Sequence, residues 1–161
     1  GSGGVVRGPA GTATLAAVAV QGDGKILVAG GGPTATGGNF VLARYDASGR
    51  PDTSFDGDGV AFTDFGLGAV AVGLAIQRDK KIVAVGNARS AASRDALEFA
   101  VARYNPDGSL DSSFGGGGIV VPSSFRPAST YADHVLVLRD GKILTGGTGL
   151  VRFNSDGSVD R

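Results

Sequence analysis

The chain has 161 residues, 15 basic and 15 acidic side chains, a formal net charge of zero and 42% hydrophobic residues. With no basic stripe to neutralise phosphates, nucleic acid is not expected as a partner, and no apolar run reaches the roughly 18 residues that a membrane-spanning helix needs. The absence of cysteine excludes disulfides and thiolate metal sites, and 29 glycines without a Gly-X-Y period imply many tight turns rather than a triple helix.

Taken in order, the chain reads as short strands separated by Gly and Asp-Gly punctuation. Gly3-Gly4-Val5-Val6 matches the stretch after Phe114, Gly115–Val121, so the chain is expected to open on the last strand of a repeat cut from a longer array. Strands are then expected at Thr14–Gln21, Lys25–Ala29, Asn39–Asp46 and Gly59–Phe65. Asp23-Gly24 is expected to form a two-residue hairpin turn with both residues at positive φ. The order recurs at Ala69–Gln77, Lys81–Gly86, Leu97–Asn105 and Ile119–Ser123, and again at Ala132–Leu138, Lys142–Thr145 and Leu150–Asn154, where the chain ends before a fourth strand. No segment has the length and 3.6-residue period of a helix.

Two motifs mark the copies. One is Gln21-Gly22-Asp23-Gly24-Lys25-Ile26, repeated at Gln77–Ile82 and Leu138–Ile143. The other is Ala102-Arg103-Tyr104-Asn105-Pro106-Asp107-Gly108-Ser109-Leu110-Asp111-Ser112-Ser113-Phe114, matched by Ala43–Phe55 and by Val151–Asp160. A four-stranded unit of about 50 residues in tandem is the signature of a β-propeller blade. Blades bury both faces of their sheets, which accounts for runs such as Ala69–Ile76 that are apolar on both faces.

The motifs resemble the delta-60 repeat β-propellers of bacterial surface and secreted proteins. The resemblance spans nearly the whole chain; Lys80 departs from it, standing where the hairpin glycine belongs, and so does the cut third copy. It implies a secreted or cell-surface location and a fold more than a function. The expectation is an all-β, propeller-like single domain, residues 1–161, with blades at about 14–65, 69–123 and 132–161, the last completed by a strand at 4–7 of the same or a partner chain. Three blades are too few for a ring of 4–8, so a homodimer of six blades, or pairing with other repeat segments, is expected.

Residues present in every copy serve the blade rather than one active site. Arg44, Arg103 and Arg152 with Asp52, Asp111 and Asp160 are therefore read as a repeated ion pair or turn cap, and Phe55 and Phe114 as anchors between blades. Asp56-Gly57-Asp58-Gly59 sets two carboxylates about a turn, but occurs in one copy and reads as a solvated turn rather than a Ca²⁺ site. His134, the sole histidine, aligns with Gly73 and Ala17 on the innermost strand and either faces a central channel or is structural. No catalytic residue, metal or cofactor is assigned.

Function is expected in the variable loops: Gly30–Gly38, Asn87–Ala96 and Gly146–Gly149, with the connections Phe65–Gly68 and Pro122–Tyr131. All fall at one end of the blades. The candidate ligand-binding residues there are Arg89, Arg94, Asp95, Arg126 and Tyr131, with His134 nearby. The leading expectation is a non-enzymatic binding or scaffold module for a protein or glycan. The alternatives are a hydrolase or lyase using His134 and Arg126 at a central channel, or a purely structural unit of a longer array.

Overall fold

Alternating β-branched and small residues bounded by glycine turns give eleven strands among the described residues. The computed structural model describes residues 14–32, 38–66, 68–89, 97–122 and 131–161. Strands β1 (Thr14–Val20), β2 (Ile26–Gly32), β3 (Asn39–Tyr45) and β4 (Val60–Thr63) form the first sheet. Strands β5 (Ala69–Ile76), β6 (Ile82–Ala88), β7 (Glu98–Tyr104) and β8 (Ile119–Val120) form the second, and β9 (Ala132–Val137), β10 (Ile143–Gly147) and β11 (Leu150–Phe153) the third. Each sheet is an antiparallel meander in chain order, and no helix occurs among the described residues. Residues 4–7, expected to complete a third blade, lie outside the described residues.

The sheets stack face to face. Leu27, Ala29, Phe40, Leu42 and Ala61 of the first pack against Ile82, Ala84, Ala100, Ala102 and Tyr104 of the second. The residues of opposite parity in the second sheet, Val83, Val85, Phe99 and Val101, pack against Ile143, Val151 and Phe153 of the third. The middle sheet is thus covered on both sides, and all seven residues of β6 are buried. β1, β5 and β9, first in their sheets, are the innermost strands, with β5 adjoining both β1 and β9. There Gly73 sits opposite Val85, and a Cβ on it would come within 2.9 Å of the Val85 Cγ2 and 3.3 Å of the Val135 Cγ1. In the third sheet the equivalent pair is His134 opposite Gly146, and in the first it is Ala17 opposite Ala29.

Two details differ from the expectation. The first hairpin loop has three residues, not two. The Gln21 amide donates to the Lys25 carbonyl at 2.8 Å and the Gly24 amide to the Gln21 carbonyl at 2.9 Å. Only Gly24, φ 83°, is left-handed, the pattern of a turn closed by a bulge glycine. The last strand of the second sheet is two residues long, because Pro122 has no amide to continue the ladder.

Lys80 occupies the Gly24 position of the second sheet at φ 69°, a conformation that costs an L-residue about 1 kcal/mol or more. Lys80→Gly is therefore expected to stabilise the chain by about 0.5–1 kcal/mol after allowing for the freer unfolded glycine. Urea unfolding checks this; an unchanged or lowered midpoint contradicts it.

Candidate functional site

The recurring polar residues form a latch within and between sheets. Arg103, on β7, donates from Nε to the Asp111 Oδ2 at 2.6 Å, from Nη2 to the Ser113 Oγ at 3.3 Å, and from Nη1 to the Ser155 carbonyl of the third sheet at 2.6 Å. Its guanidinium lies 4.5 Å over the Phe114 ring, a cation–π contact. Lys81 Nζ shares the Asp111 Oδ2 at 2.8 Å, while Asp111 Oδ1 accepts from the Ser113 amide and hydroxyl at 3.1 and 2.7 Å. Arg44 repeats the set with Asp52, Ser54, Lys25, the Pro106 carbonyl of the second sheet and the Phe55 ring.

The ring completes the contact. Phe55 and Phe114 are fully buried. Each leans on the glycine of the next sheet's second turn, where a Cβ on Gly108 would lie 3.1 Å from Phe55 Cδ2 and one on Gly157 3.0 Å from Phe114 Cε2. Backbone bonds run beside them, from the Asp56 amide to the Asp107 carbonyl at 2.7 Å and from the Gly115 amide to the Asp156 carbonyl at 2.8 Å. Two further buried ties join the sheets: Tyr104 with Thr63, hydroxyl to hydroxyl at 2.6 Å, and the Ala132 amide to Asn87 Oδ1 at 2.9 Å. Arg152 pairs with Asp160 as its counterparts do, but its side chain is 50% exposed, against 6% for Arg44 and for Arg103.

These contacts set the acidities. Hydrogen bonds from Lys25 and Ser54, with Arg44, hold the Asp52 carboxyl well below the usual carboxylate range. Burial alone would raise Asp111, but Lys81, Ser113 and Arg103 overcome it and hold that carboxyl equally low. Asp56 moves the other way, raised by burial and by the neighbouring charges of Asp58 and Asp107. Asp58 Oδ1 caps the Val60 amide at 2.9 Å, and among the described residues no three His, Asp or Glu side chains are arranged to hold a metal.

At the variable end, Arg89 directly follows β6 and is exposed, its amide donating to the Gly68 carbonyl at 2.9 Å. Tyr131 directly precedes β9, is exposed, and is tied to the short β10–β11 loop, its amide donating to Thr148 Oγ1 at 2.9 Å. Asn87 on β6 bonds Ala132, so Arg89 and Tyr131 share one end of adjacent sheets. Arg94, Asp95 and Arg126 lie outside the described residues. His134 is exposed on the outer face of the third sheet, in a shallow depression of roughly 170 Å³ with Leu136, Leu144, Gly146 and Leu150.

A feature the sequence reading missed lies at the opposite end. Between the first hairpins of sheets one and two is a depression of roughly 440 Å³ lined by Gln21, Gly22, Asp23, Ile76, Gln77, Arg78 and Lys80. A smaller one, roughly 160 Å³, continues along Gln77, Arg78 and Asp79 to Arg139. The Oε1 atoms of Gln21 and Gln77 are buried there without a hydrogen-bond partner. The signal was the recurrence of Gln before the hairpin in two copies.

A family model described as a β-propeller domain of unknown function (DUF5122) matches residues 21–55, 77–114 and 138–161, more than half of the chain. The chain belongs to this family. The first two matched spans run from the hairpin glutamine to the latch phenylalanine, so what the family shares is the structural unit just described. A search of the curated proteins found no match.

Asp111→Asn strips the buried Arg103 of its counter-ion and is expected to cost about 3 kcal/mol at neutral pH; Asp160→Asn, whose partner Arg152 is half in water, should cost far less. A carboxyl held below its unfolded pKa of about 3.9 contributes stability that is fully present above that value and lost as pH falls through the folded one. The chain should therefore lose stability on acidification below about pH 4, and Asp111→Asn should flatten that loss. Urea unfolding from pH 7 to pH 2 checks both; equal costs for the two variants, or an unaltered acid slope, contradict the assignment.

Proposed function

We propose that the chain is a non-enzymatic binding or scaffold propeller module that recognises a protein or glycan through the end carrying Arg89 and Tyr131. The observation behind this reading is a division of labour. Arg44, Arg103, Asp52, Asp111, Phe55 and Phe114, which recur between copies, are consumed by latches, whereas Arg89 and Tyr131, which border segments that differ between copies, share one end. An exposed guanidinium and an exposed phenol at the same end of adjacent sheets offer charge, hydrogen bonds and an apolar face at low entropic cost. Among the described residues, those lining the depression with His134 (Leu136, Leu144, Gly146 and Leu150) supply no nucleophile or proton partner, which does not favour the hydrolase or lyase alternative. The delta-60 name, a bacterial source and a secreted or surface location belong to the same reading, on the strength of the motifs.

The hairpin groove favours a second placement of the ligand. Its polar lining, Gln21, Asp23 and Gln77 with Arg78 and Lys80, suits the hydroxyl groups of a sugar.

The labelled chain on glycan and protein arrays separates these readings. Saturable binding without product is expected, weakened at least about tenfold, or 1.4 kcal/mol, in the Arg89→Ala, Tyr131→Ala double variant. It should be unaffected by Gln21→Ala with Gln77→Ala. Weakening by the glutamine pair alone moves the site to the groove, and conversion of any arrayed substrate overturns the binding-module reading.

A further inference from the structure

The latch is directional. The first two sheets each have a donor side, carrying the arginine and phenylalanine, and all three sheets have an acceptor side, carrying the second-turn carbonyl and glycine. Arg44 reaches the Pro106 carbonyl and Arg103 the Ser155 carbonyl. The third sheet repeats the donor arginine with Arg152, half exposed. The first sheet repeats the acceptor side: Ala47 stands where Pro106 and Ser155 stand, and Gly49 (φ 80°) where Gly108 and Gly157 (φ 96° and 89°) stand.

The apolar surfaces beside these groups follow the same logic. On the donor side of the third sheet Leu136 is 62% and Leu150 66% exposed; on the acceptor side of the first sheet the β1 residues Val18 and Val20 are 68% and 66% exposed, while Val41, Ala43, Tyr45 and Val60 farther along the same face are buried. Within the chain Gly73 of β5 meets Val135 of β9. The residues at those two positions are His134 in the third sheet and Val18 in the first. By position, the donor side of the third sheet therefore answers to the acceptor side of the first.

We propose that the third sheet of one copy docks onto the first sheet of a second copy and the reverse, closing a head-to-tail dimer of six sheets. Arg152 then enters the second turn of the other copy at Ala47, and His134 and Leu136 cover Val18 and Val20. Two such contacts related by a two-fold axis close on themselves without leaving an open edge, and six blades lie within the range of known rings. The proposal is independent of where a ligand binds.

Light scattering on a sizing column tests it with the 161-residue chain. A mass of twice 15.9 kDa is expected. Val18→Glu and Leu136→Glu, both at exposed positions, should each give a monomer with unchanged strand circular dichroism. Arg152→Ala should raise the dimer dissociation constant about tenfold. A parent chain that is monomeric at about 100 μM, millimolar-range affinity at best by this measure, overturns the proposal. So does a dimer that survives both glutamate variants. A dimer broken by only one of them joins like faces, which overturns the head-to-tail arrangement.

Discussion

A guanidinium held between a carboxylate and a carbonyl, with a phenyl ring beneath it, fixes how consecutive sheets meet. An arginine as buried as Arg103 is tolerable only when its charge is matched and its donors are used. Much of the second motif follows from that constraint. Asp111 balances the charge, Ser113 and Lys81 fill the carboxylate's other lone pairs, and Phe114 provides the surface on which the guanidinium lies. The next sheet must then bring a bare carbonyl close, and a turn built on Gly157 allows it, since any Cβ there would strike the Phe114 ring and the Gly115 amide. Charge satisfaction and backbone approach are thus one problem with one solution, used at both contacts between sheets.

Around this polar rim the energetics are ordinary. Apolar faces leave water against the neighbouring sheet, and the small residues of the innermost strands allow close approach. The second sheet, covered on both faces, stands in a different position from its neighbours: an opening of either outer sheet exposes one face of it, while its own loss would expose everything. In a linear stack stability is shared through such nearest-neighbour contacts.

Much of this was legible in the sequence. Repeated Asp-Gly turns and alternating apolar runs located the strands of all three sheets to within a few residues, and recurrence marked Arg103, Asp111 and Phe114 as structural. Other features were not. Asp23-Gly24 has the composition of a two-residue turn, and only the Gln21–Lys25 bonding reveals that Gly22 also belongs to the loop. The length of β8 depended on an amide that Pro122 lacks. The groove was hidden because glutamines before a turn look like solvated residues until the fold buries their oxygens. Arg89 and Tyr131, by contrast, fall at one end because strand polarity in a meander dictates it.

The pairs at the innermost strands, Ala17 with Ala29, Gly73 with Val85 and His134 with Gly146, divide a similar space in three different ways. Tandem copies of one motif run the risk of pairing with the wrong neighbour while the chain is still collapsing. Exchanging β5 and β9 would set His134 against Val85 in one sheet, two bulky groups in one slot, and Gly73 against Gly146 in the other, leaving a void. Each copy therefore carries its own key, and the mismatch penalises shuffled strands before the latches close.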